Sequence, residues 1–590
     1  MSKPVIAATI TSIIVFVPLA FVEGIATVLF LQMAYTVAFS LLASLFDSLT
    51  LVPILTSKVL GRQRPVREDS PVRRFFRRSQ DFFNRVDQRY QNLLSWALRH
   101  RRLVFAGTGG GFVASLLLVP AIGSEFFPKS DEGNVRIGLR LPVGTRLEET
   151  RKVIEQIEAV VRSDVPEVAA MFSRAGSGRG RSVIFGGRFT GPHTGTVSLT
   201  LSDKSQRRRS SEQIAAALRP KLSRIPGAIV TVNTGGLVSR VISFGSEEPL
   251  RVEIIGYDLA LSSRLAREVA ESLRSVAGVT DIQVSRVADT VKSALGGKVA
   301  SIYIDPATGR EHNIRVRLEE KDRQDPRDIE RITLSLDGRG SISLGNVAQL
   351  VSTTSPTRIE RKYQQRAVFV TADTSGRDFG SVAREIEGNL GRLQIHEGFS
   401  VRLRGSREDQ QQAFRALAFA LLLAVILIYM VLSAQFGSLV HPFLIMFSVP
   451  LGFIGVIWAL FLTGTTLSII SFIGIIMMVG IVVSNAILLV DYTNVLRARG
   501  VELDQAVVQA GRTRLRPILM TTLTTLLGLL PMALGIGEGA EANAPLAITV
   551  IGGLTVSTFL TLVFLPALYH SVESYRLKRQ GMHSAASAQL

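Results

Sequence analysis

Long stretches without Asp, Glu, Lys, Arg or His constrain this chain most: Pro4 to Val22, Leu103 to Ser124, Ala416 to Val440, Pro442 to Val490, Pro517 to Gly537 and Ala542 to Tyr569. A helix needs about 20 apolar residues to cross a bilayer core, where every backbone polar group must bond within the segment. Pro442 to Val490 is long enough for two such helices, with TGTT at Thr463 to Thr466 as the turn between them. Leu31 to Leu55 makes another span if its single charge, Asp47, is tolerated, which brings the expected count to eight, three before a large insert and five after it. The first run, behind Lys3, has the look of a signal peptide. No small-residue cleavage site precedes Glu23, however, and a second apolar run follows closely, so a helical hairpin fits better.

Of 590 residues, 67 are basic and 48 acidic, a net charge of +19, while 47% are apolar and only 19% charged. Soluble domains carry about 25% charged residues. A net charge of this size suits nucleic acid or lipid headgroups, and its position decides between them. Arg62 to Arg102 holds twelve arginines against four acids, which the positive-inside rule assigns to the cytoplasm. Alternating sides from there places Arg497, Arg499, Arg512, Arg514, Arg516 and the RLKR tail inside, and Glu23, Glu538 and Glu541 outside. Nucleic-acid binding thereby loses its best argument. Within the arginine-rich segment, Phe75, Phe76, Phe82, Phe83, Val86, Tyr90, Leu93, Leu94 and Leu98 recur near helical spacing. This reads as a basic amphipathic helix in the inner interface or packed on other cytoplasmic protein, an anchor in either case.

Residues 125–410 fall on the opposite side, the periplasm of a cell with two membranes. The order VRIGLRLP, LEETRKVIEQIEAVV, VAAMFSRA, TVSLTLSD, SEQIAAALRPKL, AIVTVNTG predicts a β-α-β-β-α-β unit. A second unit begins at LRVEIIGYD, passes through LSSRLAREVAESLRSV and DIQVS, and resumes with AVFVTADT, GSVAREIEGNL and FSVRLRG. Its insert, about residues 287–361, has its own helix, VADTVKSAL, and short strands. The Gly-rich stretch Gly176 to Pro192 neither opens a helix after a strand nor contains GKS or GKT, so it reads as a loop joining two strands. Its Phe185 and Phe189, with nearby Phe172, are candidates for touching an apolar ligand.

Catalytic chemistry has no visible apparatus. There is no cysteine, no HExxH or GxSxG, and the seven histidines are scattered, so neither an enzyme nor a cofactor or metal site is expected. Soft-metal transport would want thioether clusters, yet Met171 is the sole methionine between residues 125 and 410. Polar residues inside spans are the functional candidates, since charge in lipid is costly unless paired or lining a cavity. These are Asp47, which alternatively sits near a helix end and reaches the headgroups, Ser484 and Asn485, and Arg514, Arg516, Thr521 and Thr522.

TRLRPILMTTLTTLLGLLPMALG, GIVVSNAILLVDYTN, APLAITVIGGLTVSTFLTLVFLPALY and PVIAATITSIIVFVPLAFVEG resemble resistance-nodulation-division (RND) efflux permeases of the hydrophobe/amphiphile multidrug, acriflavine-resistance type. The resemblance runs nearly end to end and corresponds to the family from its fifth span onward. It implies a polytopic α-helical membrane protein of about eight spans with a large α+β periplasmic domain of ferredoxin-like βαβ porter subdomains and a docking insert. The implied parts are residues 1–58 as two spans, 59–102 as the cytoplasmic helix and 103–124 as a third span. Residues 125–245 form one porter subdomain, 246–286 with 362–410 the second, and 287–361 a shortened docking insert. Five spans follow in 411–570, then a cytoplasmic tail in 571–590.

The implied activity is proton-driven export of amphiphilic small molecules from a bacterial inner membrane. The implied assembly is a homotrimer with a periplasmic adaptor protein and an outer-membrane channel. Arg514 and Thr521 match relay positions of the eleventh span, whereas Ser484 stands where a relay lysine is usual in the tenth. The family's paired aspartates have no counterpart among these residues, so an N-terminal permease half is the expected partner, with Asp47 as an added proton-sensitive candidate. A truncated, non-transporting subunit and a lipid or protein-export permease are the alternatives. DIQVSRVADT runs straight from strand to helix, a gap after Arg286 relative to the family.

Overall fold

The computed structural model describes residues 2–21, 25–60, 71–128, 131–142, 144–176, 191–234, 250–284, 298–304, 311–316, 333–335, 341–343, 360–362, 365–537 and 540–587. The chain opens with α1 (Ser2–Ile14), α2 (Ile25–Leu49), α3 (Leu51–Leu60), α4 (Pro71–Arg99) and α5 (Arg101–Leu118). Pro53 sits in the first turn of α3, where a missing N–H costs nothing, and the apolar segment Leu31–Lys58 runs through both α2 and α3. Seven helices among the described residues are long and apolar enough to span a membrane; Val5–Phe21 is a shorter apolar helix. Eight spans were expected from the sequence.

The first α+β unit contains β1 (Asn134–Arg140), α6 (Leu147–Asp164), β2 (Val168–Ala175), β3 (Thr194–Leu201), α7 (Ser211–Leu222) and β4 (Ile229–Thr234), with antiparallel strand order β2-β3-β1-β4. Alternation in β1 turns Val135, Ile137 and Leu139 onto Ile154, Ile157 and Val161 of α6 and Ile214, Leu218 and Leu222 of α7. Ser210 and Gln213 close a capping box at the start of α7.

The second unit repeats this plan with β5 (Leu250–Ile255), α8 (Leu259–Arg274) and β6 (Val279–Val284). After an insert come β12 (Gln365–Thr374), α9 (Phe379–Leu390) and β13 (Ser400–Gly405). The strand order is β6-β12-β5-β13, with β11 (Glu360–Lys362) also paired to β12. In the insert, β7 (Lys298–Ile304) pairs β8 (Glu311–Val316) and β9 (Thr333–Ser335) pairs β10 (Ser341–Ser343), all antiparallel. The helix expected at VADTVKSAL and the gap after Arg286 lie outside the described residues.

The remaining helices are α10 (Ser406–Phe436), α11 (Val440–Met446), α12 (Ser448–Thr463), α13 (Ile469–Ala498), α14 (Leu503–Ala533) and α15 (Ala544–Ser587). The TGTT turn works because Gly464 ends α12 at φ 63° and Ser468 caps α13 through Ser471. Helices in lipid gain little from hydrophobic burial against one another, so close backbone approach through small residues takes over. A Cβ at Gly455 of α12 would lie 2.1 Å from the Gly552 carbonyl oxygen of α15, and one at Gly474 of α13 would lie 2.0 Å from Thr549 Oγ1.

A short strap joins this bundle to the second α+β unit. Leu467 N–H donates to Gly123 O at 2.8 Å and Glu125 N–H to Leu467 O at 3.0 Å, holding the chain after α5 on the α12–α13 turn. The same strap meets α9, where Gly380 N–H donates to Ser124 O at 2.8 Å. Asp378 Oδ2 accepts from Ser124 N–H at 3.1 Å and from Ser381 N–H at 2.9 Å. One carboxylate thus caps a helix and fixes the strap.

The amphipathic α4 packs one face on protein. Tyr90 and Leu94 are buried against Leu515 and Ile518 of α14 and Leu562 of α15, and Tyr90 Oη donates to Leu562 O at 2.8 Å. Burial pushes the Tyr90 hydroxyl upward from the usual phenol range, which keeps it a neutral donor. Arg516 Nε and Nη2 donate to Asp87 Oδ2 at 3.0 and 2.7 Å, and Nη2 also to Asn84 Oδ1 at 2.8 Å. The side chains are 36% and 8% exposed for Arg516 and Asp87. Removing the arginine strands a buried carboxylate, so Arg516→Ala should cost about 2 kcal/mol, between the exposed and buried limits for ion pairs. Thermal unfolding of Arg516→Ala beside the Arg516→Ala/Asp87→Asn double variant checks this. The double variant should recover part of the loss, and equal melting of the two would refute the coupling.

Candidate functional site

Ser557, Thr558 and Thr561 fall within one turn of α15, so three hydroxyls share one side of an otherwise apolar helix. They line a small cleft with Val482 and Asn485 of α13, Ile518 of α14 and Leu562 of α15. Thr522 Oγ1 of α14 stands 3.2 Å from Thr558 Oγ1, and Ser557 Oγ 3.5 Å from Thr561 Oγ1. Ser557 is 1% exposed and Thr522, Thr558 and Thr561 are each 5% exposed. Each hydroxyl can both donate and accept, so the row can reverse its hydrogen-bond direction as a proton or a bridging water passes. It carries no charge and costs little to bury.

Arg514, half-buried on α14, places its guanidinium carbon 4.9 Å from the Tyr492 ring centroid of α13 and interacts electrostatically with Asp491. That acid lies in the GIVVSNAILLVDYTN motif, six residues after Asn485, outside the uncharged run that ends at Val490. Ser484 is half-buried beside Asn485. Thr521 is exposed and turns its hydroxyl back to Ile518 O at 3.0 Å; its neighbour Thr522 enters the buried row instead. Around Thr521, Met520, Leu523, Leu527, Leu530 and Leu534 form an exposed apolar stripe at alternating three- and four-residue spacing, the pattern of a helix seam. Asp47 is exposed on α2, and no hydrogen bond or ion pair joins it to this row among the described residues.

In the α+β part, Phe172 is 69% exposed on β2; Phe185 and Phe189 lie outside the described residues. Met171, next to Phe172, packs against the core of the first unit. The two units meet at Arg219 of α7. Its Nε donates to Asp281 Oδ2 at 3.1 Å and its Nη1 to Ser375 Oγ at 3.4 Å, while Ser375 Oγ donates to Glu212 Oε1 at 2.8 Å. Burial pushes the Asp281 carboxyl upward against the opposing pull of Arg219. Among the described residues no group of three or more His, Asp or Glu is placed to hold a metal ion.

Asp131, ahead of β1, faces the start of α7 and pairs with Arg207 at 2.7 Å, whose side chain is 2% exposed. Burial alone would raise Asp131, but hydrogen bonds from Arg207 and Ser211 offset this and hold its carboxyl below the usual range. A depressed folded pKa gives stability that is complete above the unfolded value and lost as pH falls through the folded one. Melting of the first unit should therefore drop from about pH 5 downward, and less steeply in Asp131→Asn. Identical pH slopes would contradict the assignment.

The profile of the AcrB/AcrD/AcrF family matches residues 1–286 and 280–573. The cobalt-zinc-cadmium resistance protein CzcA of Cupriavidus metallidurans is 28% identical over 96% of this chain and 55% of its own length. Multidrug resistance protein MdtC of Escherichia coli is 25% identical over 97% of this chain and 57% of its own. A solved heavy metal efflux pump superposes with a TM-score of 0.80 at 27% identity, covering 97% of this chain and 58% of that one. The chain thus spans little more than half the length of the curated relatives it matches.

Proposed function

The chain belongs to the AcrB/AcrD/AcrF family of RND efflux permeases, and from that membership we propose that it is the C-terminal part of a proton-motive-force-driven exporter of amphiphilic drugs or other hydrophobic compounds. It is a multi-pass membrane protein. In the proposed arrangement it lies in the inner membrane with its α+β units in the periplasm, and works as a homotrimer with a periplasmic adaptor and an outer-membrane channel. The observation that carries the proposal is the buried hydroxyl row of Thr522, Thr558, Ser557 and Thr561 in the apolar helix bundle, on the helices α14 and α15. Such a row moves protons rather than drug. The acids that load it come from an N-terminal permease half seated on the exposed stripe of α14, the face that also presents Thr521.

Cation export is the second reading, because CzcA and the solved heavy metal pump bear cation names. Met171, the sole methionine between residues 125 and 410, packs against a domain core, so that stretch offers no thioether cluster for a soft cation such as Cu(I). A pump-deficient host expressing this chain with an N-terminal half of the family should tolerate cationic dyes better while its zinc and cobalt tolerance stays unchanged. Gain of metal tolerance without dye tolerance would transfer the chain to the second reading. No change for any compound would leave a non-transporting subunit.

A further inference from the structure

The face of α4 turned away from the bundle has its own chemistry. Phe82 is 56% exposed and Leu93 and Trp96 are each 46% exposed. Eleven residues from Phe82 to Leu93 and three more to Trp96 keep these side chains on one side of the helix, adjacent to the Tyr90 and Leu94 face that packs on α14 and α15. Arg85 and Arg89 are both exposed; Arg85 borders the stripe on the side away from Tyr90, and Arg89 rises within it between Phe82 and Trp96. A single residue, His100, separates α4 from α5, which begins the span Arg101–Ala121, so the Trp96 end of the stripe stands at the membrane border. Arg62 to Arg102 carries twelve arginines against four acids.

We propose that this open face is a binding surface for anionic phospholipid of the adjacent leaflet. Phe82, Leu93 and Trp96 enter the acyl boundary while Arg85 and Arg89 hold headgroup phosphates. The charge is of the complementary sign and the apolar stripe is continuous with a membrane span, which together select a lipid surface over a soluble acidic partner. Because Arg516 ties α14 to Asp87 of α4, the lipid acts on the helix that carries Arg514.

Trp96 and Trp458 are the two tryptophans, and Trp458 donates only one hydrogen bond, to Ser115 Oγ at 3.1 Å, so Trp458→Phe leaves Trp96 as a single reporter. The full chain is reconstituted in mixed phosphatidylglycerol–phosphatidylcholine vesicles, with either the one or the other lipid brominated at equal mole fraction. Quenching of Trp96 by brominated phosphatidylglycerol should exceed that by brominated phosphatidylcholine about twofold or more, and Arg85→Gln/Arg89→Gln should equalise the two. Equal quenching in the intact chain overturns the anionic preference. Absence of quenching by either lipid places the face on a protein partner and overturns the proposal outright. A preference that survives the double substitution overturns the role of the two arginines.

Discussion

Gly552→Val should cost the bundle its folded state in detergent. A side chain there would meet Ala459 Cβ at 2.2 Å and the Gly455 carbonyl oxygen at 2.7 Å, and neither atom belongs to a flexible side-chain end. The backbones of α12 and α15 must separate, which breaks the close approach of Gly455 and Gly552. Overpacking typically costs 1–3 kcal/mol where side chains can give; with backbone on the other side, about 3 kcal/mol or more is expected here. Gly528→Val is the control, because a Cβ at Gly528 meets nothing within 4 Å. Thermal unfolding followed by size-exclusion chromatography should show the first variant aggregated and the second intact. A normal melt for Gly552→Val would refute the helix crossing.

The second large effect falls on transport. Arg514→Ala, assayed with an N-terminal half present, should reduce dye efflux to the level of the empty host, while amount and melting of the protein stay near those of the parent. The guanidinium lies over the Tyr492 ring and interacts electrostatically with Asp491, so its loss removes a positive charge beside an acid of the spanning bundle. Arg512→Ala, two residues away and exposed, should leave efflux unchanged. Thr522→Val and Thr558→Val each break the 3.2 Å hydroxyl pair at a stability cost of about 0.6 kcal/mol, so a larger effect on efflux than on melting marks a conducting role. Efflux untouched in Arg514→Ala would remove the arginine from the path.

The helices and the first unit's strands were legible because their signals are local. Val135, Ile137 and Leu139 alternate with a period of two, and the spans announce themselves as uncharged runs. The buried row was not legible. Thr521 and Thr522 are adjacent in the chain, about 100° apart on a helix, and nothing local says which one turns inward; only the packing of α14 on α15 selects Thr522. Ser557, Thr558 and Thr561 read in isolation as neutral small residues of an apolar helix. The docking of α4 on α14 needed Gly511, where a Cβ would lie 2.7 Å from Tyr90 Oη, a long-range fit that no periodicity encodes. Arg516, placed inside by its charge and counted among the span's polar candidates, instead forms a partly buried pair with Asp87 of α4.

The strap at Gly123 to Phe126 has a mechanical consequence. Its backbone is hydrogen-bonded both to Leu467, just before α13, and to Asp378 and Gly380, at the beginning of α9. A tilt of α13 cannot be absorbed by slack there: it either drags the front of α9 with it or ruptures those bonds together. A displacement of the apolar helices is therefore transmitted to the second α+β unit through a linkage a few residues long, while the first unit has its own tie to the bundle through the Lys204–Glu541 ion pair.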